Sequence, residues 1–181
     1  MDPPTGASSR RSLQGVISAG MFAAIMWGIC SLALGQVLGE EAEMERLYLR
    51  AEEAIANEDP EGAAMTAGRA ALMASQLANS REDHAEAQMF RGASRLFRAQ
   101  EYAYRALALF ERAGGQPPAS SGVCQSTRLA EQHIRHSLKL LAGGGLDVLN
   151  QHRRQQAQRF HSDAADWVLT INGLNEDFEC R

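Results

Sequence analysis

Residues 87–120 read AQMFRGASRLFRAQEYAYRALALFERAGGQPPAS. Apolar residues recur there at steps of three and four, first through Met89, Phe90, Ala93, Leu96 and Phe97, then through Tyr102, Ala103, Ala106, Leu107, Phe110 and Ala113. That period is the signature of amphipathic helix. Ser80 as N-cap, with Asp83 as an acid of the first turn, predicts a helix running to about Ala99. A short turn at Gln100 and a following helix to Ala113 complete the expectation. Gly114-Gly115 stops the second helix, and Pro117 and Pro118 make residues 114–122 the clearest loop of the chain.

Outward from this stretch the pattern stays helical. On the amino side, Met44, Leu47, Tyr48, Ala51 and Ile55 predict a helix over about 40–57, whose acidic first turn suits the positive end of the helix dipole. Asn57-Glu58-Asp59-Pro60 breaks it. Pro60 opens a second helix to about Ala78, since proline is tolerated in a first turn. Its inner face is Ala63, Ala67, Ala70 and Ala74 with Leu77, small enough for neighbouring helices to approach closely. On the carboxyl side a helix is expected over about 125–141, then an interruption at Gly143-Gly144-Gly145 and a long last helix over about 146–174 with Phe160, Ala164, Trp167, Val168 and Ile171 as its stripe. The chain is rich in Ala, Leu, Arg and Glu and has almost no β-branched runs, so the fold class is all-α.

Helix pairs joined by tight turns invite comparison with repeats. Residues 87–120 resemble a tetratricopeptide repeat: Phe90 and Phe97 fall at its first-helix aromatics, Ala106 and Ala113 at its small second-helix positions, Phe110 between them and Pro118 at its terminal proline. Ala93, Ser94, Glu101 and Ala103 depart from the family's preferred residues. The resemblance implies antiparallel helix pairs in a short right-handed array, with the long C-terminal helix as its cap. It also implies a groove that holds segments of other proteins. An irregular helical bundle is the alternative architecture.

The amino-terminal stretch supplies an address. Arg10 and Arg11 precede an apolar run from Val16 to Leu38, and Glu40, Glu41 and Glu43 follow it. This is the order of an export signal, with Ala33-Leu34-Gly35 as the small-residue exit; equally, residues 16–38 are long enough to remain as one membrane span of about 20 residues. The charge asymmetry gives both readings the same orientation, with residues 40–181 as a helical domain outside the cytoplasm, periplasmic or secreted in one case and membrane-anchored in the other. Cleavage would remove Cys30 and leave Cys124 and Cys180, an even number in an oxidising compartment. The two are expected to pair and to lower the entropy of the unfolded chain by roughly 4 kcal/mol.

The charge balance bounds the partners. The whole chain carries −4, and loss of Asp2, Arg10 and Arg11 with a signal makes the remainder one unit more acidic. Nucleic acid, which requires a clustered basic surface, is therefore not an expected partner. His133 and His136 lie three apart on one helix, a spacing that would let them share a metal, but no carboxylate or cysteine joins them in a ligand motif. No metal, cofactor or catalytic set is expected, and no Cys-x-x-Cys or phosphate loop occurs. Arg91, Arg95, Arg98 and Arg105 on the repeat-like segment, with Arg153 and Arg154 on the last helix, are the candidate surface for an acidic protein partner, because guanidinium groups pair carboxylates bidentately. The expected function is a non-catalytic adaptor or scaffold in the cell envelope. The alternative is a single-span accessory subunit of a membrane complex.

Overall fold

The computed structural model describes residues 39–180, and residues 40–181 fall within one compact unit. The export or anchor run, residues 16–38, lies outside the described residues. Five α-helices account for most of this domain, and no strand occurs among the described residues. Residues 39–56 are helical (α1), followed by α2 (Pro60–Ser80), α3 (His84–Arg112), α4 (Ser121–Leu141), a 3-10 turn (Gly144–Val148) and α5 (Gln151–Asp177). The all-α expectation holds. No described helix is long and apolar enough to cross a membrane.

Local chemistry sets most of these boundaries. The Asp59 carboxylate accepts from the Gly62 N–H at 2.8 Å, and Pro60 occupies the first turn, where its missing donor costs nothing. Asp83, rather than Ser80, caps α3 by accepting from the Glu86 N–H at 2.8 Å. Ser80 instead closes α2, its hydroxyl donating to Leu77 O at 3.0 Å. Asn150 caps α5 by accepting from Arg153 N–H. The final helix therefore starts after the 3-10 turn and not at residue 146. Gly114 and Gly115 end α3 at φ of 95° and 65°, which residues with a Cβ rarely adopt.

The largest correction falls within residues 87–120. No turn forms at Gln100, and residues 84–112 are one continuous helix of 29 residues. The two shorter helices expected there, and the helix–turn–helix that the tetratricopeptide resemblance would place within 87–120, are not formed. The cause is visible at the expected break. Glu101 reaches back to Arg98 and forward to Arg105, at 2.8 Å, and thus staples the helix across three and four residues in both directions. Gln100 and Glu101 are themselves buried, so tertiary packing uses the residues a turn would have exposed.

Around this long helix the others alternate in direction. Ser94 donates to Ala71 O at 2.9 Å while Arg112 pairs with Glu61, so α3 runs antiparallel to α2. Gln88 donates to Leu140 O and Ser137 to Gly92 O, each at 2.8 Å, so α4 is antiparallel to α3 as well. Tyr48 and Glu52 of α1 meet Phe97 and Tyr104, and Phe160 and Trp167 of α5 meet the same two residues, so α1, α3 and α5 run parallel. The core is built on Phe90, Phe97, Met89 and Leu96 of α3, with Met44 and Leu47 of α1, the alanine face of α2 with Leu77, Ile134 of α4, and Phe160 and Ile171 of α5. Alanine at Ala63, Ala67, Ala70 and Ala74, all essentially inaccessible, lets α2 lie close to its neighbours.

A smaller cluster ties down the carboxyl end. Phe178 packs on Phe110 at 4.3 Å between ring centroids, and Ala119 N–H donates to Phe178 O at 2.9 Å. Beside them Cys124 and Cys180 form the expected disulfide, their Cα atoms 5.3 Å apart.

Candidate functional site

The four arginines predicted on α3 follow at spacings of four, three and seven residues, which return to one side of a helix. The structure brings that side against two neighbours to form two adjoining concavities. Between α2 and α3 lies a groove of about 530 Å3, lined by Ala64, Gly68 and Ala108, by Met65 and Leu72, by Arg69, Arg98, Arg105 and Arg112, and by the carboxylates of Glu61 and Glu101. Met65 is 68 % and Leu72 54 % exposed, unusual for large apolar side chains in this domain. A Cβ on Gly68 would stand 3.0–3.3 Å from the buried Glu101 carboxyl group, so that group would have to shift by a few tenths of an ångström.

The second concavity, about 420 Å3, opens where α4 joins α2 and α3. Arg91, Arg95 and Arg98 line it together with His133, His136, Tyr102, Ser75 and Ser94, over apolar walls from Ala71, Leu72 and Leu140. No carboxylate lines it. Arg95 Nη1 lies 3.3 Å from His133 Nδ1, and the His133 ring stacks on Tyr102 at 5.5 Å with 7° between planes. Burial, then the charges of Arg95 and Arg98, hold the His133 pKa below its usual 6.5. A neutral His133 that accepts the Arg95 N–H on Nδ1 carries its own proton on Nε2. Arg105 lies over Tyr102 at 5.3 Å, adding a cation–π contact to the stack.

Arg153 and Arg154 do not join this face. Arg153 donates bidentately to Glu41 at 2.6 and 2.7 Å, and to Gln156 at 2.9 Å, and approaches Glu86 at 3.4 Å. Arg81 pairs with the same Glu41, and both guanidinium groups lie over the Phe90 ring at 5.2 and 5.5 Å. With side chains only 13–21 % exposed, this four-charge cluster clasps α1 to α5 and to the α2–α3 connection. The hydrogen bonds that Arg153 donates to Glu41 are the main reason that the Arg153 pKa is raised. Arg154 donates to Asp147 O at 2.9 Å and Leu149 O at 3.1 Å, fastening the 3-10 turn. Both arginines are thus engaged within the fold, and Arg153 offers no free surface to a partner.

Sequence reasoning missed Arg69, Met65 and Leu72, which stand on the side of α2 opposite its alanine face. A large apolar residue outside an alanine stripe was the available signal. His133 and His136 reach the arginine face from α4 and meet no third ligand: among the described residues no group of three or more His, Cys, Asp or Glu side chains is placed to hold a metal. A third polar cluster lies under α1, where Tyr104 donates to Glu52 at 3.2 Å and burial, followed by Asp163 and Glu52, raises the Tyr48 pKa to about 12. These phenols are held as hydrogen-bonding groups within the packing. No family model, no curated protein and no solved structure matches the chain significantly.

Proposed function

We propose that residues 40–181 are a non-catalytic helical interaction module that works outside the cytoplasm and binds an acidic, partly apolar segment of a partner protein in the α2–α3 groove. The observation that carries this reading is the pairing of exposed Met65 and Leu72 with Arg69, which enters no ion pair among the described residues, whereas Arg98 and Arg105 share Glu101 and Arg112 pairs with Glu61. Exposed apolar side chains beside an arginine fit a recognition surface, because Met and Arg are both enriched at interfaces relative to the rest of a protein's surface. The Cys124–Cys180 disulfide supports the extracytoplasmic address, since such bonds persist in oxidising compartments.

Photo-crosslinking in intact cell envelopes tests the groove. A crosslinker placed at Met65 or Leu72 is expected to give one discrete adduct that Arg69→Glu diminishes, whereas one at Leu169, 71 % exposed on α5, is expected to give none. Equal labelling from Leu169 would overturn the assignment of the surface.

A further inference from the structure

We propose that the cavity lined by α2, α3 and α4 is a binding site for a phosphate group. The inference is independent of the protein-binding groove, because the residues that carry it, Arg91, Arg95, His133 and His136, do not line that groove.

The charge inventory identifies the ligand. Of the three guanidinium groups, Arg98 is committed to the Glu101 carboxylate. Arg95 meets only the His133 ring, and Arg91 enters no ion pair among the described residues. Two positive charges therefore face the cavity uncompensated. A single carboxylate would balance one of them, whereas a phosphate monoester, at −1.5 to −2 near neutral pH, balances both. Guanidinium groups present paired N–H donors at the spacing of phosphate oxygens. His136 is exposed at the mouth, and Ser75 supplies a hydroxyl from α2. The aliphatic walls lower the local dielectric and strengthen the attraction relative to open solvent. At about 420 Å3 the cavity exceeds one phosphate and leaves room for the group that bears it.

The same chemistry could be presented by a free or small esterified phosphate or by a phospholipid headgroup. Both arms use the folded domain with its disulfide intact. In the first, inorganic phosphate is titrated at constant ionic strength while the imidazole resonances of His133 and His136 are followed, with acetate as the monovalent control. Saturable shifts of both rings by phosphate and not by acetate are expected, with affinity reduced about tenfold or more in Arg91→Gln/Arg95→Gln. An anion seated beside Arg95 also offsets its repulsion of a protonated His133, so the His133 pKa rises on binding, with Arg98, Glu101, His136 and the Tyr102 ring as the other facing groups. In the second arm, vesicles of phosphatidic acid, itself a phosphate monoester, in phosphatidylcholine are compared with phosphatidylcholine alone. Co-sedimentation that depends on Arg91 and Arg95 assigns the site to a headgroup, and phosphate binding without it assigns the site to a soluble phosphate. Failure to bind in both arms, equal response to acetate, or retention of full affinity in the double variant overturns the proposal. Should the double variant not fold, Arg91→Gln alone, at an exposed side chain, takes its place, and full affinity in that variant overturns the proposal equally.

Discussion

Removing the disulfide through Cys124→Ala/Cys180→Ala should cost this domain about 4 kcal/mol. The bond joins residues 56 positions apart, and in the chain-entropy account a loop of that size lowers the entropy of the unfolded state enough to give a value of about 4 kcal/mol at 25 °C. In the folded state little else changes, because Phe178 stays packed on Phe110 and Ala119 N–H still donates to Phe178 O. Urea unfolding followed by circular dichroism reads the effect directly. With a slope of about 2 kcal/mol per molar, the midpoint should fall by about 2 M. The slope itself should rise, because the unlinked chain exposes more surface when it unfolds. A midpoint within about 0.5 M of the native protein would contradict the loop-entropy account. So would two alkylatable thiols in protein taken directly from the compartment where it works.

Phe97→Ala should cost about 3–5 kcal/mol by the same assay, since the ring is inaccessible and is held between Tyr48 at 5.5 Å and Phe160 at 6.0 Å, where no single neighbour can collapse into the space. Gly92→Ala should destabilise despite alanine's better helix propensity: its Cβ would stand 2.6 Å from the Leu141 Cγ and Cδ2 atoms, an overpacking worth about 1–3 kcal/mol. Leu141→Val should then cost less in the Gly92→Ala background than alone, a coupling that a double-mutant cycle reads. Asp163→Asn should raise the melting temperature at pH 7. Burial, then Asp166, lifts the Asp163 pKa above its usual 3.8, so the folded state disfavours the carboxylate. That penalty is absent where both states are protonated, below the unfolded value, and appears as the pH rises through the raised folded value, so the gain should vanish in melts run below about pH 4.

Much of the helical frame was legible because local chemistry sets it. The alanine face of α2, Asp59-Pro60 at its start, Gly114-Gly115 at the end of α3 and the pairing of Cys124 with Cys180 all follow from near neighbours in sequence or from counting. The continuity of α3 was not legible, because the residues at its middle look like solvent-exposed polar positions until Glu101 is seen buried between Arg98 and Arg105. Arg91, Arg95 and Arg98 line one cavity because α3 is continuous, whereas the sequence alone offered them only as a candidate surface spread over two helices. Arg153 misled for the opposite reason: its spacing marks a polar helix face, but its partner Glu41 is supplied from the far end of the domain. The cationic cavity itself needs Ser75 from α2 and His133 from α4, and no period in a single helix reports what two other helices will bring.

The Glu41–Arg153 pairing spans 112 positions of chain. A polypeptide that emerges amino end first presents α1 long before the residue that clasps it exists outside the synthetic machinery; at about 5–20 residues per second the delay is roughly 6–20 s. During that interval Met44 and Leu47, inaccessible in the finished domain, wait on a core that is completed only when α5 arrives. The charge clasp on the first helix is therefore among the last contacts of the domain to form, and α5 is the element that closes it.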